Sequence, residues 1–156
     1  MMVPAKIQRL LDPHELEIVE PDPDRITGLW EKAVAPNADS RKGLSPDNAI
    51  TLAYQAGFQA STALLEARGY RTKGARPGHH FNIIYASSAL GYESLGDVDL
   101  TSEQLRSRRT KSFYAGTHQS GEEAERLHEW LDTLLPAVYD ALADAAPDLH
   151  PRLGPG

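Results

Sequence analysis

The sequence contains no cysteine, and that absence excludes a disulfide scaffold, a thiolate metal site and a cysteine nucleophile. It also lacks any apolar run near the roughly 20 residues of a membrane span, and its first residues lack the apolar core of a signal peptide. The expectation is a cytoplasmic protein that does not enter a membrane. No stretch alternates apolar and polar residues between turn signals in the manner of a strand, and no internal repeat or low-complexity tract interrupts the chain. No His-x-x-x-His or comparable ligand spacing occurs, so neither a metal nor a cofactor is expected.

What is present suits one domain, since 156 residues are enough to bury one core and too few for two ordinary ones. Sixteen Lys and Arg against 22 Asp and Glu leave a net charge of −6, which argues against a protein that coats nucleic acid with its whole surface. The charge is uneven. Between Ala63 and His118 eight basic residues stand against five acidic ones, a local +3, with −9 elsewhere. That asymmetry leaves room for an anion-binding patch and is equally what ordinary surface variation produces.

Helical signals organise the chain. Met1 to Pro21 holds one short helical run, Ala5 to Leu11, and an acidic, proline-bearing stretch, and residues 1–21 read as an N-terminal arm. Asp22, Pro23 and Asp24 offer a cap with proline at the first helical position, followed by Ile26, Leu29, Trp30, Ala33 and Val34 at helical spacing. Ser45, Pro46 and Asp47 repeat that start. Ala49, Ala53, Ala56, Ala60, Ala63 and Ala67 then alternate steps of four and three until Gly69 ends the run. A stripe of small residues lets a neighbouring helix approach closely, and tight packing is its meaning here.

Tyr70 to Gly78 reads as a basic loop, and a modest third helix follows to Leu90. Thr101 with Gln104, and Ser120 with Glu123, have the spacing of capping boxes and should open two more helices. The last carries Leu127, Leu131, Leu134, Leu135, Val138 and Leu142 on one face, with Pro136 expected to bend it. The expected fold is all-α: an up-and-down four-helix bundle with additional short helices over residues 22–146, and a flexible tail over residues 147–156.

The segment richest in chemistry packs four cations, Arg106, Arg108, Arg109 and Lys111, into six residues near the end of the fourth helix. Cations there complement the negative end of a helix dipole, which is one reading of the cluster. Adjacent arginines, however, point about 100° apart on a helix. One of Arg108 and Arg109 is therefore directed at the bundle or at a partner, where it requires an anion. His79 and His80 open the third helix beside the basic loop, where free backbone amides favour an anion. They are candidates for a phosphate contact or a base; the alternative is one capping or packing histidine and one solvated one.

Taken in order, Leu52 to Ala56 (LAYQA), Ala63 to Arg71 (ALLEARGYR), Gly78-His79-His80 and Leu105 to Tyr114 (LRSRRTKSFY) resemble the landmarks of bacterial HEPN domains. The resemblance covers roughly Asp22 to Leu142. It implies a helical bundle that forms a homodimer, with an arginine motif from each subunit meeting at a cleft. Many such domains are metal-independent ribonucleases of toxin–antitoxin and defence systems, paired with a cognate antitoxin. Others bind RNA without cutting it or serve as partners of nucleotidyltransferases.

In catalytic members a histidine four to six residues beyond the arginine handles the ribose 2′-hydroxyl while the arginine stabilises charge on the phosphate. Here Arg109 is followed by Thr110, and Tyr114 stands where that histidine would be. The next imidazole downstream is His118. A tyrosine with a pKa near 10 is a poor base at neutral pH, although its hydroxyl can orient or donate to a phosphate. The resemblance thus implies Arg109, Tyr114 and His118 as catalytic candidates. Arg106, Arg108, Lys111, His79 and His80 are candidates for RNA or nucleotide contacts. Tyr114 could also pack at the helix end or be nucleotidylated by a partner enzyme.

Overall fold

A computed structural model describes residues 16–73 and 121–149, together with Gln8 and Leu153. Over these residues the protein is mostly helical. In chain order the elements are β1 (Leu16–Ile18), α1 (Pro23–Asp39), α2 (Pro46–Ala67), β2 (Tyr70–Thr72) and α3 (Gly121–Ala145). A four-helix arrangement extends beyond what these three helices establish. No helix among the described residues is long and apolar enough to cross a membrane.

The helix starts follow the signals in the sequence. At α1 the Asp22 carboxylate accepts from the backbone amides of Asp24 and Arg25 at 3.1 and 3.5 Å, satisfying donors that the first turn leaves open. Pro23 follows at a position where its missing N–H costs nothing. At α2, Ser45 and Pro46 take the corresponding places, here with no side-chain hydrogen bond from the cap. The helix ends through Arg68 into Gly69, whose φ of +93° lies in the left-handed region that glycine enters without a Cβ penalty. Both α1 and α3 continue through an internal proline, Pro36 and Pro136.

α2 packs against both other helices, and its stripe of alanines is the reason. Ala53, Ala56, Ala60 and Ala63 are fully buried. Gly57, beside that stripe, receives the indole of Trp130: a Cβ built on it would fall inside the ring at Cη2 and Cζ3, and 3.2 Å from Cζ2. α1 closes the third side through Trp30, whose ring lies 5.7 Å from that of Tyr139. Trp30 meets Tyr139, and ten residues later Ser40 meets His128. Hence α1 and α3 run antiparallel. Ile26, Trp30, Leu64, Leu131, Leu134, Val138 and Leu142 fill the space between them.

Two expectations are corrected. Leu16–Ile18, within the expected arm, and Tyr70–Thr72, at the start of the expected loop, pair as an antiparallel ladder, Leu16 with Thr72, Glu17 with Arg71 and Ile18 with Tyr70. Gly69 turns the chain so that its carbonyl accepts from Val19 N–H at 2.8 Å, and the strands continue from that contact. Leu149 and Leu153, from the expected flexible tail, are only 4% and 5% exposed and belong to the core cluster. Apolar burial holds them there.

Candidate functional site

Every residue that the sequence singled out for chemistry, His79, His80, Arg106, Arg108, Arg109, Lys111, Tyr114 and His118, lies outside the described residues. The structure brings two other polar clusters together.

The first sits where α1 ends against α3. Ser40 is 2% exposed, and its Oγ lies 2.8 Å from the Asn37 carbonyl and 3.0 Å from His128 Nε2. A hydroxyl has one proton. The carbonyl can only accept, so that proton goes to Asn37, and Ser40 Oγ accepts from His128 Nε2–H. This assigns the tautomer and leaves His128 Nδ1 without a proton when the ring is neutral. Arg41 completes the cluster, donating from Nε to Asn37 Oδ1 at 3.1 Å. Its Nη2 donates to the His128 carbonyl at 3.3 Å and to Asp132 Oδ1 at 2.9 Å. Burial pushes the His128 imidazole below its ordinary pKa and the nearby Arg41 charge adds to that, while Asp132 and Glu125 oppose it.

The hydroxyl and imidazole do not form a nucleophilic pair. A general base must accept the hydroxyl proton, whereas here Nε2 is the donor and the hydroxyl is buried. What the cluster adjoins is a groove of about 430 Å3, lined by Arg41, Leu44, Pro46, Ala49, Ala124 and His128 among others. Sequence reasoning missed it because Ser40 and His128 are 88 positions apart and neither sits in a spacing that signals chemistry. Among the described residues no group of His, Cys, Asp and Glu could hold a metal ion.

The second cluster lies at the opposite end of α2. Glu66 is 2% exposed and accepts from Arg25 Nε at 2.7 and 2.8 Å. It also accepts from Arg71 Nε at 2.9 Å and pairs with Arg71 Nη2 at 2.8 Å. The carboxylate thus ties the start of α1, the end of α2 and β2 together. Its hydrogen bond to Arg25 is the first cause holding that guanidinium above its ordinary pKa. A buried carboxylate needs such partners. Arg71, which the sequence placed in a basic loop, has a structural role here.

In comparisons with protein-family models, curated proteins and solved structures, nothing matches this chain.

Proposed function

We propose that this chain is a HEPN-like cytoplasmic protein of a toxin–antitoxin or defence-type system that binds RNA or a nucleotide at an arginine-rich cleft between two copies. The observation that carries the reading is the density of cations in Arg106, Arg108, Arg109 and Lys111, followed at once by Tyr114. Phosphate contacts of this kind need little else from a surface that is acidic overall. A mostly helical core, with α2 packed closely through its alanines, is compatible with a bundle of that family and supports the reading at the level of fold class.

In this reading Arg109 stabilises charge on a phosphate, and Arg106, Arg108 and Lys111 hold the backbone, with His79 and His80 as further contacts. Cleavage without a metal also requires a proton acceptor near the ribose 2′-hydroxyl, and His118 is the downstream imidazole available for it. Tyr114, at the position where the resembled motif has histidine, favours a second reading. There the chain is a non-catalytic module whose arginine cluster docks a nucleotidyltransferase, an antitoxin or another protein partner.

The deciding experiment incubates the purified protein with a pool of tRNA and mRNA in EDTA, which silences contaminating metal nucleases, and compares it with Arg109→Ala and His118→Ala. Cleavage that disappears in Arg109→Ala supports the ribonuclease, and the His118 variant identifies its base. RNA binding that Arg109→Ala weakens, with no cleavage, supports the non-catalytic form. If the wild type neither binds nor cleaves RNA above the Arg109→Ala level, the RNA reading is wrong.

A further inference from the structure

The groove beside Ser40 and His128 has a polar end and an apolar body. At the polar end Arg41 uses Nε and Nη2 within the protein, and among the described residues no partner takes its Nη1. His128 uses Nε2 on Ser40, and none takes Nδ1. Arg41 and His128 both line the groove. The body is made by Leu44, Pro46, Ala49 and Ala124, small or apolar side chains, with Leu44 42% exposed to solvent. Concave sites that hold small molecules combine these two features, a mostly apolar lining and a few polar groups at one end.

We propose that this groove binds a small molecule with an apolar body and an anionic head, carboxylate or phosphate, the head held by Arg41 and His128. Among the described residues the charged and titratable groups around His128 are Arg41, from the chain leaving α1, and Glu125 and Asp132 from its own helix. From α2 the groove is lined by Pro46 and Ala49, which carry no charge. An anionic head accepts from the open Arg41 Nη1 donors. A second hydrogen bond, from Nδ1, requires that His128 take up a proton. Burial and Arg41 oppose that proton, and a bound anion offsets both. Binding therefore consumes a proton and strengthens as pH falls. Glu125, exposed on the rim, acts against the anion, and Glu125→Gln should tighten binding modestly.

The test titrates hexanoate and hexyl phosphate into the full chain and follows the His128 ring by NMR at about pH 5.5 and about pH 8, the two sides of imidazole titration. 1-Hexanol supplies the body without the charge. The expected result is a saturable shift with at least one of the two anions, at least about tenfold weaker for 1-hexanol and for Arg41→Ala, and a His128 titration midpoint that rises on binding. Which anion binds tells a carboxylate from a phosphate ligand. Gly121→Leu gives the second check. Gly121 lines the groove, and a Cβ there meets nothing within 4 Å, so the variant should fold and lose binding. The proposal is overturned if neither anion gives a saturable shift, if 1-hexanol binds as well as the anions, or if Gly121→Leu binds undiminished.

Discussion

Replacing Gly57 by alanine should destabilise the protein even though alanine is the better helix former. Glycine in a helix interior costs about 1 kcal/mol relative to alanine, so at an open site the substitution would stabilise. At Gly57 the new methyl group would occupy the space of the Trp130 ring, overlapping Cη2 and Cζ3. Trp130 is itself buried, at 4% exposed, so making room for the methyl means moving a packed side chain. Overpacking of this kind costs roughly 1–3 kcal/mol and more where backbone must separate. The upper part of that range prevails, and the net loss should be about 2 kcal/mol. With a urea slope ordinary for a small domain, the midpoint falls by about 1 M.

A second background makes the reasoning refutable. Trp130→Phe removes the part of the ring that overlaps Gly57 and sacrifices no hydrogen bond, because the Trp130 indole N–H has no partner among the described residues. That change alone should cost about 1–2 kcal/mol in lost apolar burial. In the Trp130→Phe background the Gly57→Ala change should reverse sign and stabilise by up to about 1 kcal/mol, giving a coupling of roughly 2–3 kcal/mol in the double-mutant cycle. Urea unfolding followed by circular dichroism measures all four proteins. A neutral or stabilising Gly57→Ala in the wild-type background, or a cycle that closes to within about 0.5 kcal/mol, would show that the indole does not rest on Gly57.

Two further outcomes follow from the polar clusters. Glu66→Ala should cost about 2 kcal/mol by thermal or urea unfolding, less than the value for a fully buried pair because the Arg25 and Arg71 side chains are 48% and 35% exposed; an unchanged midpoint would remove the clasp from the stability argument. His128 is held below its ordinary pKa in the folded state, so the unfolded chain binds more protons in the window just below about pH 6.5. Its contribution is therefore fully present above that pH and lost as pH falls toward the folded-state value, and His128→Gln should flatten the stability curve there, which unfolding at a series of pH values checks.

The sequence was informative wherever local chemistry decided the outcome. Asp22 and Pro23, Ser45 and Pro46, and Gly69 mark boundaries through backbone groups only a few residues away, and the structure places boundaries beside each. The leucines of α3 declare their face by repetition. The ladder of β1 and β2 was not legible, because strands of three residues are too short to establish a two-residue period, and the two strands that pair lie far apart in the sequence. The burial of Leu149 and Leu153 was hidden by the prolines and glycines around them. Gly57 carries no signal of its own in the sequence; its purpose appears only once Trp130 is seen against it. Ser40, Arg41 and His128 were unreadable for the same reason, since nothing local to any of them names the others.

The two polar clusters also decide how variants for the proposed RNA contact should be interpreted. Residues 74–120, which hold all the proposed contacts, leave β2 and return at α3. β2 is fixed by its ladder with β1 and by the Glu66 clasp on Arg71, and the first half of α3 is fixed by His128 and Asp132 against the end of α1. A loss of RNA binding can therefore arise in two ways, through the charge that meets the phosphate or through the supports that carry it, and stability separates them. Arg109→Ala, if Arg109 meets phosphate, should lower RNA affinity and its salt dependence while leaving the unfolding midpoint in place. Glu66→Ala should lower the midpoint, and below it the folded fraction should retain the same salt slope. If Arg109→Ala lowers the midpoint as much as Glu66→Ala does, Arg109 is a structural cation paired within the fold, and the case for a phosphate contact at that position fails.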